Sequence, residues 1–477
     1  MISILKTALS GKTRTEHDLL GDKEVPVEAL FGIQTLRGFE NFKISHVRLF
    51  HFPLFIKGLA VTKMAAALAN NEIGILPKDI TDAIVQACQE LIDDKHREHF
   101  PVDMIQGGAG TTVNMNANEV IANRALEILG KERGEYTFCS PNDHVNMSQS
   151  TNDAYPTAIH FAVYYRNARL VESLENLIGA FDKKAKEFAN VIKMGRTQLQ
   201  DAVPMTLGQT FAAFADSLRT EVGNLNRSAN EFLTVNMGAT AIGTGICSVP
   251  GYSESCIKHL RNITNLDVKI ASNLVEATSD TTAMVDYSSA MKRLAIKVSK
   301  ICNDLRLLSS GPRTGLGEIN LPPKQPGSSI MPGKVNPVIP EVMNQICFRV
   351  IGNDFTCAMG AEAAQLELNV MEPIMVLSIF ESANFLKNGF DTLREECVDG
   401  ITANDEHCRK LVENSIGLVT ALNPYIGYQN STEIAKEALA TGGSVYQLVL
   451  DKKLLTKEQL DKILLPENMI KPTNIKL

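Results

Sequence analysis

Tryptophan is absent from the sequence, and its 477 residues include only 9 Tyr and 19 Phe. Aromatic platforms on which nucleic-acid bases could stack are therefore scarce. The chain also lacks an excess of positive charge, because 54 acidic residues outnumber 47 basic ones and give a net charge of −7. Nucleic-acid-binding domains usually carry a basic surface. We expect no nucleic-acid partner, although a local positive site for a small anion is compatible with this balance.

The nine cysteines include no CxxC pair, and their number is odd. This pattern argues against a zinc knuckle, a thioredoxin-like motif and a secreted disulfide scaffold. It predicts reduced and mostly buried thiols. No apolar run reaches the ~18 residues that a membrane span requires. The first twenty residues lack the clean apolar region and cleavage site of a signal peptide. We expect a cytoplasmic protein with no membrane partner.

The apolar fraction of 44% is enough to build a large core. Strand patterns are few, helical patterns dominate, and there is no internal repeat. The sequence predicts a mostly α fold in three regions. These are a mixed, mainly helical N-terminal domain over residues 1–149, a central bundle of long helices over 150–402, and a small C-terminal helical domain over 403–477.

The longest helical pattern runs from Thr157 to Ile192, where apolar residues recur in steps of three, four or seven and no proline occurs. An unbroken helix of that length would span ~54 Å at 1.5 Å per residue. Helices this long pack most economically as a bundle. Further long helices are predicted over about 204–236, 278–309, 338–360 and 371–398.

Local signals mark where several shorter helices begin and end. Capping boxes are predicted at Asn116/Glu119, Ser444/Gln447 and Thr456/Gln459, and glycine stops at Gly130 and Thr441-Gly442-Gly443.

Three polar loops between helices are candidates for binding, each with a plainer alternative. The segment Gly107 to Asn118 begins with a glycine-rich loop. This loop can bind an anion through backbone N–H groups, or it can simply be the turn that leads into a helix. Most residues of Asn142 to Asn152 carry hydrogen-bonding side chains. Those at its end can cap the longest helix or hold a carboxylate at its positive terminus. The segment Gly195 to Asp201 is as readily a polar turn between helices as a site.

The fourth loop runs from Gly327 to Pro337 and reads GSSIMPGKVNP. Its prolines and glycines forbid a regular helix. It is not a phosphate-binding Walker loop, because five residues rather than four separate Gly327 from Gly333, and Val335 stands where Ser or Thr must bind magnesium. It can be a structureless linker, or a mobile lid whose Ser, Lys and Asn grip an anion.

GSSIMPGKVNP resembles the signature loop of the fumarase/aspartase superfamily. The resemblance covers nearly the whole chain in order, through RTEHDLLGDKEVP, GGAGTTVNMNANEV, NDHVNMSQSTNDAYPTA, KMGRTQLQDAVPMTLGQ and GATAIGTG before the signature. The later segments NPVIPEVMNQICFRVIGND, LELNVMEP and NSIGLVTALNPYIGY resemble the aspartate ammonia-lyases of that superfamily in particular. The resemblance implies the reversible conversion of L-aspartate to fumarate and ammonia, with removal of the C3 proton and an enediolate intermediate.

The resemblance also implies a role for each residue that matches a motif position. Ser328 matches the general base. A serine alkoxide is scarce at neutral pH, so it needs a positive, donor-rich surrounding from Lys334 and loop backbone N–H groups, and a closed loop that excludes water. The substrate-binding positions surround the two carboxylates and the amino group with donors. They are Thr111, Ser150, Thr151 and Ser329 for the carboxylate beside C3, Lys334, Asn336 and Thr197 for the other, Asn152 near the amino group, and Gln198.

Gln198 departs from many relatives, which carry histidine there. Glutamine cannot exchange a proton near pH 7. A hydratase must activate water or protonate a departing hydroxide, whereas a substrate ammonium already carries its proton. Gln198 thus disfavours a fumarate hydratase more than an ammonia-lyase. Fumarate hydratase, another lyase of the superfamily and a catalytically silent structural homologue remain the alternatives, and intact Ser328, Lys334 and Asn336 argue against the last.

Other positions stay open. Glu341 matches a signature glutamate but is equally a first-turn helix acid. His144 and Asp143 are expected to form structural hydrogen bonds. The resemblance implies that no cofactor or resident metal is required, with activation by a divalent cation such as Mg²⁺ left open.

The spacing of the predicted site residues also predicts an oligomer. Ser150, Thr151 and Asn152 precede the long helix, and Thr197 follows it, so ~50 Å of helix separates groups that should touch one four-carbon diacid. Different chains must then supply them. The resemblance implies the same arrangement, a homotetramer with a helical core and active sites shared between subunits.

Overall fold

The computed structural model describes residues 10–470. The expectation for the first twenty residues therefore lies partly outside the described part of the chain. Helices dominate, as predicted. They are α1 Ile33–Asn41, α2 Pro53–Glu72, α3 Lys78–Ile92, α4 Thr111–Ile128, α5 Thr151–Glu187, α6 Leu207–Glu231, α7 Tyr252–Thr264, α8 Glu276–Ser279, α9 Thr282–Leu308, α10 Val338–Glu362, α11 Glu372–Glu396, α12 Asp405–Asn414, α13 Leu418–Thr441, α14 Val445–Asp451, α15 Lys457–Ile463 and α16 Pro466–Met469.

The described strands are β1 Thr13–Asp18, β2 Gly21–Pro26, β3 Ile192–Thr197, β4 Gln200–Thr206, β5 Thr234–Val235, β6 Lys269–Ile270, β7 Ile319–Asn320 and β8 Thr402–Ala403. They form two-stranded sheets, which are antiparallel except for the parallel pair β5–β6.

The chain divides into two compact units, each assembled from three stretches. The first unit comprises the residues up to Val171, Gly223–Arg293 and Arg349–Leu386. The second unit comprises Glu172–Val222, Leu294–Phe348 and the residues from Lys387 onward. The division into consecutive regions 1–149, 150–402 and 403–477 stays a prediction.

Each unit has its own apolar core. In the first unit, Phe161 of α5 packs with Tyr252 and Leu260 of α7, and all three are fully buried. In the second unit, Ile192 and Met194 of β3 pack with α13 residues that include Leu422. None of the helices described between residues 10 and 470 is long and apolar enough to cross a membrane.

The five predicted long helices are confirmed as α5, α6, α9, α10 and α11, which contain 37, 25, 27, 25 and 25 residues. Their amphipathic patterns were reliable signals. A long helix that buries one face repeats its apolar residues with the helical period over many turns.

The limits of α5 differ from the prediction. The helix starts at Thr151 rather than Thr157 and ends at Glu187, so it includes Pro156. A proline inside a helix removes one N–H and leaves the carbonyl four residues earlier without its helical donor. That carbonyl belongs to Asn152, and the side-chain amide of Asn236 donates to it at 3.1 Å. This external donor explains why the helix continues through Pro156.

The segment Gly195 to Asp201 is a β-hairpin rather than a plain turn between helices. Strands β3 and β4 pair antiparallel, with Thr197 opposite Gln200. The two connecting residues, Gln198 and Leu199, have φ values of 55° and 60°. Positive φ at both central residues is typical of the tight hairpin turns that match strand twist. The usual Asn-Gly signal of such turns is absent here, so the hairpin could not be predicted from local sequence.

The helix-end predictions had mixed outcomes. The capping box at Thr456/Gln459 is confirmed, and Gly130 and Gly442 follow their helices with φ of 72° and 69°. The box at Ser444/Gln447 is wrong, because Ser444 makes no side-chain cap bond. The box at Asn116/Glu119 is wrong because α4 already begins at Thr111, which places both residues inside the helix.

Candidate active site

The start of α5 presents the polar groups predicted in the first unit. The Ser150 hydroxyl accepts the N–H of Asn152 at 3.2 Å, and the Ser150 N–H donates to Asp153 at 2.9 Å. Ser150 therefore caps α5. Thr151 and Asn152 are half-buried in the first turn of α5, where the helix dipole favours negative charge.

Asp153 connects this turn to a neighbouring segment through hydrogen bonds. Its buried carboxylate also accepts the N–H groups of Gly238 at 3.1 Å and Thr240 at 2.9 Å. Burial raises the pKa of Asp153 to about 6 despite these donors. Next to it, the Asn152 amide donates to the carbonyl of Ala241 at 2.7 Å. The segment GATAIGTG thus fixes the beginning of α5.

Lys63 of α2 is a buried cation beneath the same polar segment. Its ammonium donates to Gln149 at 2.8 Å and to Asn146 at 3.1 Å. Its pKa is lowered to about 7, chiefly by burial. Sequence reasoning missed Lys63, although a single charged residue within the apolar run LAVTKMAAALA was a usable signal.

Thr111 is the first residue of α4 and is exposed to solvent. The residue before it, Gly110, has φ of 89° and lies so close to Tyr155 that an added Cβ would come within 2.6 Å of the ring. Only glycine fits both the backbone conformation and this contact. The contact brings the glycine-rich loop to the beginning of α5, as a shared site in the first unit requires.

Ser328 lies on the signature loop in the second unit and is half-buried. Its hydroxyl oxygen accepts the backbone N–H groups of Met331 at 3.0 Å and Ile330 at 3.2 Å. Donors that point at an oxygen favour its negatively charged form. This geometry suits a serine that must ionise, although the same bonds also form ordinary serine turns.

The signature loop is closed at its base. Gly327 donates its N–H to the carbonyl of Lys334 at 2.7 Å, and the Asn336 amide donates to the carbonyl of Gly327 at 2.7 Å. A Cβ on Gly327 would come within 2.7 Å of the Asn336 nitrogen, so a side chain there would break the closure. The loop is therefore an ordered unit and not a structureless linker. Ser329 and Lys334 are exposed on it, and no acidic side chain of residues 10–470 pairs with Lys334.

Thr197 and Gln198 are exposed at the tip of the β3–β4 hairpin in the second unit. On strand β3, which leads to this tip, Arg196 and Lys193 pair with the buried carboxylate of Glu318, Lys193 at 3.1 Å. Sequence reasoning did not find Glu318, because one charged residue in a loop carries no periodic signal.

A long helix lies between Ser150 and Thr197 in the chain. Helix α5 is continuous over 37 residues, which corresponds to ~54 Å of helix.

The remaining predicted positions have structural contacts. His144 accepts the N–H of Ser140 at 2.8 Å through Nδ1, and Asp143 accepts the Ser140 hydroxyl at 3.0 Å. Glu341 lies in the first turn of α10, so both interpretations of it stay open. Eight of the nine cysteines are buried, which confirms that part of the expectation for the thiols.

Comparison with known proteins gives matches over the whole chain. The sequence model of a family described as "Lyase" matches residues 21–352, and one described as "Fumarase C C-terminus" matches residues 418–471. An aspartate ammonia-lyase of Pseudomonas aeruginosa is 59% identical over 98% of both chains. One of Escherichia coli is 53% identical over 97% of both chains.

Solved structures match as well. A fumarate lyase:delta crystallin from Brucella melitensis, crystallised bound to cobalt, is 54% identical with a TM-score of 0.94, and the match covers 96% of this chain and 100% of that chain. A class II fumarase from Schistosoma mansoni is 35% identical with a TM-score of 0.90, over 97% of this chain and 100% of that chain. The chain therefore belongs to the lyase family that contains the fumarases and the aspartate ammonia-lyases.

Proposed function

We propose that this protein is an aspartate ammonia-lyase, which converts L-aspartate reversibly to fumarate and ammonia. The observation that carries the proposal is the identity of 53% to 59% over nearly the full length of relatives with that name. The identity to the class II fumarase is lower, at 35%. Gln198 adds a chemical reason, because it leaves the hairpin tip without a proton-exchanging histidine.

In the proposed mechanism, the Ser328 alkoxide removes a proton from C3 of aspartate. The electron pair of the C–H bond delocalises into the neighbouring carboxylate and forms an enediolate. It then forms the C2–C3 double bond as the C2–N bond breaks, and ammonia leaves with the bonding electron pair. The N–H groups of Ile330 and Met331 support the proposal, because they stabilise the charged form of Ser328.

The other proposed site residues stabilise charge and orient the substrate. Enediolate formation adds negative charge to one carboxylate, so fixed donors at that carboxylate lower the barrier. We assign Thr111, Ser150, Thr151 and Ser329 to this carboxylate, Lys334, Asn336 and Thr197 to the other, Asn152 to the amino group, and Gln198 to the substrate pocket near Thr197.

We further propose a homotetramer whose sites combine residues from different subunits. The length of α5 supports this, because ~54 Å of helix lies in the chain between Ser150 and Thr197, which we assign to one small substrate. Helix α10 supports it too, since it exposes apolar side chains along one face. Phe348 is 62% exposed, Phe355 68% and Met359 51%, and they recur at spacings of seven and four. An apolar stripe of this kind is normally covered by another helix.

The proposed chemistry needs no cofactor. Within residues 10–470, no group of three His, Cys, Asp or Glu side chains is arranged to hold a metal ion. The free thiols fit a reducing compartment, and we propose a cytoplasmic location.

The test is the ultraviolet absorbance of fumarate after the purified protein is mixed with L-aspartate or with L-malate. We expect absorbance to rise with aspartate and to stay near the baseline with malate. A rise with malate alone would identify a fumarate hydratase. No change with either substrate, in protein of the expected fold, would identify a silent homologue or a lyase for another substrate.

A further inference from the structure

A buried carboxylate in the first unit has no protein partner. Glu372, the first residue of α11, is 7% exposed. Among residues 10–470, no hydrogen bond or ion pair holds its side chain, and burial is the single cause that raises its pKa to about 8. An unpaired charge is costly to bury. Either a proton or a cation from solution must therefore neutralise Glu372.

Glu372 lines a cavity of about 180 Å³ that also belongs to the first unit. Pro156 and His160 of α5 form part of its wall. Burial lowers the pKa of His160 to about 4, so its ring is neutral near pH 7. Glu372 is thus an unpartnered carboxylate on the wall of a small cavity.

The residues that line the cavity carry negative charge and include no positively charged side chain that would compensate it. Glu231, Glu276 and Asp280 are exposed residues that line it together with Glu372, and neither Lys nor Arg does. Charges of one sign around a small cleft concentrate counter-ions within it. Thr234 and Asn236, whose side chains carry neutral oxygen atoms, also line the cavity.

We propose that this cavity binds a small monovalent cation of the size of ammonium or potassium, with the Glu372 carboxylate as its counter-charge. Neutral oxygens suit such ions, as in potassium channels. A divalent ion prefers several carboxylates in direct contact, and residues 10–470 offer no group of three metal-binding side chains close enough. Ammonium is also a product of the proposed reaction, but the proposed site does not depend on that reaction.

The test uses thermal unfolding of the full-length protein at a pH of about 8.5, where ionisation of Glu372 is accessible. We compare about 100 mM choline chloride with the same concentration of ammonium chloride or potassium chloride. We expect one or both small cations to raise the midpoint by about 2 °C or more, because a ligand that binds only the folded state stabilises it. The readout does not involve catalysis, so it remains valid if the proposed function is wrong.

Glu372→Gln keeps the shape of the side chain and removes its charge, and we expect it to abolish the difference between choline and the small cations. Glu367→Gln removes an equal charge from an exposed position outside the cavity, and it should respond like the wild type. Equal midpoints in all three salts for the wild type would overturn the proposal. A full response in Glu372→Gln would overturn it as well.

A second measurement covers the case in which Glu372→Gln does not fold. Wild-type crystals soaked in rubidium or thallium salt should show an anomalous peak roughly 3 Å from a carboxylate oxygen of Glu372. In the unfolding experiment, the cation that raises the midpoint further, ammonium or potassium, is the one that binds more tightly. A cavity that holds no heavy cation after soaking would contradict the proposal.

Discussion

Arg196 and Glu318 form an ion pair in the interior of the second unit, although they are 122 positions apart in the chain. Arg196 directly precedes Thr197 at the hairpin tip, and Glu318 directly precedes β7, after which the chain continues into the signature loop. Lys193 also contacts the Glu318 carboxylate. One buried carboxylate therefore connects the bases of two segments that carry proposed site residues.

Replacing Glu318 by Ala should destabilise the protein strongly. The substitution leaves Lys193 and Arg196 as buried cations without their partner, and breaking such a pair costs about 3–5 kcal/mol. We would measure the free energy of unfolding by urea titration. The control is Glu395→Ala, which removes an exposed partner of Arg394 and should cost less than about 1 kcal/mol. Equal losses in the two variants would show that the buried pair is unimportant for stability.

Replacing Lys334 by Met should raise KM for aspartate by about 10- to 100-fold, since a hydrogen bond to a charged group contributes about 1.5–3 kcal/mol. Steady-state kinetics with aspartate measure this effect. Lys410→Met changes another exposed lysine and should leave KM unaltered. An unchanged KM in Lys334→Met would place Lys334 outside the substrate site.

Two inactive variants should restore activity to each other if the sites are shared. Thr197 and Ser328 lie on separate loops, and we propose that different subunits supply them to one site; Thr197→Val and Ser328→Ala each damage one of the two. When equal amounts are unfolded and refolded together, about one quarter of the sites should receive both intact residues. The assay is fumarate formation, and refolded wild type is the control for recovery. Mixed protein that stays inactive while the wild type recovers would contradict shared sites.

Glu90 should make stability depend on pH in the acid range. Hydrogen bonds from Arg124 lower the pKa of Glu90 to about 2. A carboxyl with a depressed pKa stabilises the folded state above its unfolded pKa, and this contribution is lost as the pH falls from about 4.5 to about 2. Glu90→Gln should therefore reduce stability at pH 7 by about 1–2 kcal/mol and flatten this part of the pH profile. Urea unfolding at several pH values would measure both effects, and a profile parallel to the wild type would refute the assignment.

The sequence predicted the long helices and the signature loop as a break between helices, because both leave local signals. Helix α5 repeats its apolar pattern over many turns, and the signature loop concentrates Gly and Pro around Ser328. What the sequence did not predict depends on contacts between distant residues. The box at Asn116/Glu119 failed because Glu119 instead accepts N–H groups of Gly32 at 2.8 Å and Thr35 at 3.1 Å. Lys63 and Glu318 likewise acquire their roles only from partners brought in by folding.

The proline within α5 has a consequence for how the sequence can change. Pro156 removes a helical donor, and Asn236, located 80 positions later, replaces it at the carbonyl of Asn152. Substituting Asn236 alone would leave a carbonyl in the first turn of α5 without its donor, whereas restoring an N–H at position 156 would supply a helical donor to that carbonyl. Substitutions at positions 156 and 236 are therefore coupled. A substitution tolerated at either position depends on the residue at the other.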